Sequence, residues 1–228
     1  MGRKDPQLIG RSLLLLIALL LLVQAMGCAQ AFLAPIWLIK GGLVDPEFKK
    51  QVKEIPKESK MIVVARSSAN LFGLDNPSRD VSYGLTLLCS NNISKKKKLK
   101  WIPYENAEAQ FDSNSFSLES FAKIGQKVDA DYVIGVDIDS FNTQISSQFY
   151  QGRAKAHVQL IKVETGEILG RKTLPEYVYP PNPVPVNDKP GPEFQKQFIA
   201  KLAGEIGTLF YPYDPHDKYA LDNDFPDR

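Results

Sequence analysis

The stretch "AKAHVQLIKVETGEILG", residues 154–170, constrains the fold more than any other. Ala154, Ala156, Val158 and Leu160 alternate with Lys155, His157 and Gln159, which is the period of a half-buried strand. Thr165-Gly166 supplies a turn and a return strand comes after it, so the segment reads as a hairpin. Just upstream, "DYVIGVDIDSF", Asp131 to Phe141, sets Ile134, Val136 and Ile138 against Gly135, Asp137 and Asp139. One face of that strand is apolar and the other acidic. Three such strands in succession predict an antiparallel meander.

The rest of the chain fills in around it. "MIVVA", Met61 to Ala65, fits a strand buried on both faces. Arg79 to Asn91 places Val81, Leu85 and Leu88 on one helical face, with Ser78 as N-cap. "LKWIPYENA" is a weaker strand that Pro103 confines to an edge or an end. The next element is a helix, with Ser117 as cap, Phe116 and Phe121 as staple, and Leu118, Phe121, Gly125 and Val128 facing inward. In "EFQKQFIAKLAGEIGTLF", Phe194, Phe198, Leu202, Ile206 and Phe210 recur every four residues, and Pro192 suits the first turn.

The expected order is strand, helix, strand, helix, meander, helix: an α/β domain with helices packed on a mixed sheet. Residues 1–28 read as a signal or anchor and 29–60 as a membrane-proximal linker. The domain then covers 61–212, with a proline-rich segment at 175–192 and a helix at 193–210. Residues 213–228 form an acidic, aromatic tail. "PEYVYPPNPVPVNDKPGP" is expected to be extended, wrapping the domain or reaching a partner. Its candidate contact residues are Tyr179, Pro180, Pro181, Pro183 and Pro185.

The 228 residues suit one domain with a real core. A net charge of +2 gives no overall field that would draw nucleic acid. Two cysteines, Cys28 and Cys89, make no disulfide framework, and Cys89 reads as a small buried hydrophobe.

The amino terminus decides where the domain lives. Arg3, Lys4 and Arg11 precede "SLLLLIALLLLV", a basic region and an apolar core in the order of a secretory signal. The basic flank keeps the start cytoplasmic and sends the downstream chain outward. Three outcomes are open. "AMGC", Ala25 to Cys28, resembles a bacterial lipobox with Ala25 where Leu is commonest, and implies cleavage before a lipidated Cys28. "AQA", Ala29 to Ala31, offers ordinary cleavage. No charge stands between Arg11 and Lys40, so an uncleaved span of the required ~20 residues also fits.

Chemistry is sparse. Asp137 and Asp139 share a strand face; paired carboxylates can do acid–base work or bind a cation, but the solvated face of a half-buried sheet is the favoured reading. Asp214, His216 and Asp217 in "YDPHD" are weak metal candidates, with a single imidazole where zinc takes three or four ligands. No serine elbow, phosphate loop or dinucleotide fingerprint occurs. "KKKKLKW" is a basic cluster suited to anionic head groups or to a solvated helix end.

"MIVVARSS", "FAKIGQKVDADYVIGVDIDSF" and "AKAHVQLIKVETGEILG" together resemble a group of bacterial envelope domains. That group includes the amino-terminal domain of the Tol-system periplasmic protein and the curli-secretion lipoproteins. The likeness covers Met61 to Thr173. The lipobox, "APIWLIKGG", "YQG" and "FYPYDPHDKYALD" further resemble uncharacterised small bacterial lipoproteins. These resemblances imply an envelope-facing binding or assembly domain, and the chain has no amphipathic pore segment. The expectation is a non-enzymatic lipoprotein of the cell envelope, anchored at Cys28, its domain facing the periplasm or exterior. It would have no cofactor beyond the covalent lipid, envelope proteins as partners, and no nucleic acid. The alternatives are a carboxylate- or metal-dependent envelope hydrolase using Asp137, Asp139 or the Asp214–Asp217 cluster, or a single-pass membrane protein with the same outward-facing domain.

Overall fold

A computed structural model describes residues 42–67, 77–110 and 119–215. Cys28, the apolar amino-terminal segment, Phe116, Ser117, Leu118, His216 and Asp217 lie outside them. Among the described residues no helix is long and apolar enough to cross a membrane.

Five strands form one sheet in the order β2-β1-β3-β4-β5. β1 (Lys60–Ser67) runs parallel to β2 (Lys100–Ile102) and to β3 (Tyr132–Ser146). β4 (Phe149–Lys162) and β5 (Glu167–Pro185) add antiparallel. Parallel neighbours need crossovers, and helices supply them. α2 (Pro77–Lys97) joins β1 to β2; α3 (Tyr104–Glu108) and α4 (Phe121–Lys127) join β2 to β3. α1 (Lys49–Glu54) precedes the sheet and α5 (Gly191–Gly207) comes after it. The β4–β5 turn closes at Gly166, whose φ of 69° suits glycine and whose N–H donates to the Lys162 carbonyl.

Alternation along the strands gives two cores. On one face Ile62, Val64, Val133, Ile161 and Val163 pack against Tyr104 and Ala107 of α3 and Phe121 and Ile124 of α4. On the other, Met61, Val63, Ile134, Val136, Val158 and Leu160 are buried, as are Val81, Leu85 and Cys89 of α2 and Phe194, Phe198, Leu202 and Ile206 of α5. Burial pushes the Cys89 thiol far up, so it is packing rather than a nucleophile. β1 stops at Ser67, before β3 does. Ala65 N–H, left without a strand partner on the β2 side, donates to Ser82 Oγ of α2.

Several elements differ from the sequence expectation. One of two compact units is Val44–Tyr213, so residues 44–60 of the expected linker pack with the sheet. α1 buries Val52, flanked by Phe48 and Ile55, and Phe48 stacks edge-on against Phe210. The proline-rich segment is extended, as the sequence predicts, but it is so as part of the sheet. It continues β5 as far as Pro185. Ser120 is the cap of α4, accepting from Lys123 N–H at 3.3 Å. The acidic face of β3 is only half open. Gly135 is buried, because the Phe121 ring lies on it where a side chain would stand.

Candidate functional site

β3, β4 and β5 outrun β1 and continue as a three-stranded ribbon to the β3–β4 turn. There Tyr150 pairs with Val184 and Phe149 with Pro185. Between Gly152–Tyr179 and Tyr150–Val184, β4 has one residue, Gln151, where β5 has four, 180–183. This is a bulge made largely of prolines. Proline offers no N–H, so the tie must come through carbonyls. The buried Gln151 provides it, its Nε2 donating to Pro180 O at 3.1 Å and Pro181 O at 3.0 Å. Gln151 Oε1 accepts from Arg153 at 2.9 Å, and Arg153 pairs with Glu176 at 3.7 Å. β5 is an edge strand, the place in a sheet where prolines are tolerated.

The five candidate contact residues separate here. Tyr179 is 1% exposed and Pro180 is buried, so neither stands on a partner-facing surface. Tyr179 instead fastens β5 beneath α5: its hydroxyl accepts from Gln197 Nε2 at 3.0 Å and Lys201 lies over its ring. Pro181, Pro183 and Pro185 are exposed. Two exposed residues the sequence reading passed over flank the same turn, Phe149 (38% exposed), which is paired with Pro185, and Ile145 (43%), next in the chain to Ser146, the β3 partner of Phe149. The signal for them was an isoleucine and a phenylalanine flanking the polar turn "SSQ". Tyr150 stiffens the same end, stacking on Phe194 of α5 at 5.1 Å. The result is an apolar apex on a rigid frame. Large apolar side chains held in solvent next to one another mark interaction surfaces.

The carboxylates go elsewhere. Asp137 is committed to Arg66, its register partner on β1; that guanidinium also lies 4.1 Å above the Phe121 ring and donates to Glu119 O. Asp139 takes part in a chain across three strands. His157 Nε2 lies 2.7 Å from Asp139 Oδ2, and His157 Nδ1 lies 2.8 Å from Thr173 Oγ1. With Nε2–H donating to Asp139, Nδ1 is left to accept from the Thr173 hydroxyl, the relation of a base to a hydroxyl nucleophile. The imidazole is 40% exposed, so the chain lies on the open sheet face. Asp214 directly succeeds Tyr213, and among the described residues no three His, Cys, Asp or Glu side chains gather as metal ligands.

A cleft of about 580 Å³ lies at the other end of the strands, lined by Pro56, Ser59, Asp129, Asp131, Tyr132 and Lys162 among others. Two lysines at this end, Lys60 and Lys162, are held by carboxylates. Lys60 pairs with Asp129 and Lys162 with Glu164, and each lysine pKa is held up by that hydrogen-bonded carboxylate.

No family model and no curated protein matches the sequence. Solved structures are similar at a low level. The C-terminal domain of LpoB from Salmonella enterica is 18% identical over 60% of this chain and 96% of its own, with a TM-score of 0.35. Lipoprotein GNA1162 from Neisseria meningitidis is 13% identical over 65% and 97%, with a TM-score of 0.36. The PelC dodecamer from Paraburkholderia phytofirmans is 11% identical over 68% and 89%, with a TM-score of 0.32. Scores this low carry no argument about fold or activity.

Proposed function

We propose that the chain is a cell-envelope lipoprotein, lipidated at Cys28, whose α/β domain is a docking module without catalytic activity. One observation supports it above the rest: the apolar apex of Ile145, Phe149, Pro183 and Pro185 stands at the far end of the domain from the chain's entry. α5 begins beside Tyr150 of the apex, where Gly191 lies against the Tyr150 ring. It ends near Leu209, which accepts from Phe48 N–H at 2.9 Å, while Val44 bridges Tyr213. Its 17 residues span about 25 Å. The apex is thus at the opposite end of the domain from Val44 and free to meet an envelope protein with an apolar groove. The frame is already ordered, so docking costs little conformational entropy.

A photo-crosslinking residue at position 149 of the full chain, in cells, is expected to capture one discrete protein. Ile145→Ser with Phe149→Ser is expected to abolish the adduct formed from position 185. It should shift unfolding by no more than ~0.5 kcal/mol, as surface changes do. Adducts from other surfaces with none from 149 or 185 would contradict the reading.

The Asp139–His157–Thr173 chain favours a second reading, an envelope hydrolase with Thr173 as nucleophile. On that reading the full chain cleaves an activated ester, Thr173→Ala loses the activity and Thr173→Ser keeps it. On the docking reading all three are equally inert.

A further inference from the structure

The fold joins two lysine groups that are far apart in sequence. Lys97, at the end of α2, donates through Nζ to the carbonyls of Lys53 (2.7 Å) and Ile55, at the end of α1. Glu58 N–H donates to Lys97 O, Lys100 N–H to Ser59 O, and Lys60 pairs with Lys100 across β1 and β2. Lys50, Lys53 and Lys57 are thereby set beside Lys98 and Lys100, all five exposed. None of the five is in an ion pair among the described residues, whereas Lys49 is taken by Asp45, and the nearby acid Glu47 by Lys172. Within 45–60 and 95–100 the sequence carries ten lysines against four acids, so a chain of net charge +2 concentrates its positive charge here. The patch begins within a few residues of the chain's entry at Val44, itself 39% exposed.

We propose that this basic base rests on a membrane surface of anionic phospholipid. The occupant is chosen by position and charge. The tether of the proposed function joins the domain at Val44, next to the patch in the chain, and lysines near a bilayer are attracted to anionic head groups within a Debye length. A basic patch is also the second signal that turns a lipid tether into an oriented one. Lys97 is the structural member: its ammonium is spent on the end of α1, and partial burial lowers its pKa. The inference shares the tether of the proposed function but not its apex, so crosslinking at position 149 and contact at the base can fail independently.

The test uses the full chain in vesicles and maps lysine acylation by mass spectrometry. With about one lipid in three phosphatidylglycerol, Lys50, Lys53, Lys57, Lys98 and Lys100 are expected to label about fivefold more slowly than in pure phosphatidylcholine, and high salt should remove the difference. Lys155 on the open sheet face and Lys196 on α5 serve as controls and should not change. Lys50→Glu with Lys57→Glu, both exposed and so compatible with folding, should erase the protection at Lys98 and Lys100. Equal labelling in both lipids would overturn the proposal. So would protection by soluble polyphosphate or nucleic acid without protection by phosphatidylglycerol.

Discussion

Phe198→Ala is expected to destabilise the domain by about 3–5 kcal/mol, the range for removing a buried aromatic ring. Phe198 is fully buried, and three elements converge on it. It lies on Gly152 of β4, where a methyl group would collide with the ring. It also sits 5.2 Å from Phe141 of β3 and 6.2 Å, nearly parallel, from Tyr177 of β5. One ring therefore holds α5 to all three strands of the ribbon that carries the apex. A domain of this size has roughly 5–15 kcal/mol in total, so the loss is a large part of it. The check is urea unfolding: the midpoint should fall steeply with an unchanged slope, as for a stability change alone. A shift below about 1 kcal/mol would mean that the ribbon is held by something other than α5.

Gly135→Val should cost about 3 kcal/mol by overpacking. The Phe121 ring lies where a side chain on Gly135 would stand, and the Arg66 guanidinium sits over that same ring, 4.1 Å from its centre, so the ring is held in place. The strain is also transmitted, because Arg66 holds Asp137 and the carbonyl of Glu119. Phe121→Ala in the same chain should recover part of the loss, giving a favourable interaction energy of about 1–2 kcal/mol in a double-mutant cycle. Additive effects of the two changes would show that the ring and the glycine are not in contact.

These two sites show what the residues announced and what they did not. The β4–β5 hairpin was legible because period-2 alternation and a Thr-Gly turn agree with each other. α5 was legible because Phe194, Phe198, Leu202 and Ile206 repeat at one helical face, and all four are buried; Phe210, the fifth of the series, is buried too but lies past the helix end at Gly207, short of the expected end at 210. Gly135 looked like part of a solvated acidic face, since alternation reports which face a residue is on but not what covers that face. Tyr179 looked like a contact residue of an extended proline segment. Prolines read as breakers in a central strand, but on an edge strand the missing N–H would have faced solvent. α1 was hidden by its length: six residues between Pro46 and Pro56 show too few turns for a period. The apex was hidden because its apolar residues flank a turn, and only the pairing of Phe149 with Pro185 joins them to the prolines. The two lysine groups, about 40 residues apart in the chain, meet only through the bonds of Lys97 and its neighbours.

The orientation assigned to the apex and the base depends on lipid attachment at Cys28. Intact mass of the protein extracted from membranes tests that claim most directly, with Cys28→Ala as the comparison. The expected mass is that of a chain beginning at Cys28 plus acyl groups, lost in the variant. A chain beginning at Phe32, or an unprocessed one of the same mass with and without Cys28→Ala beyond the substituted atoms, would contradict it.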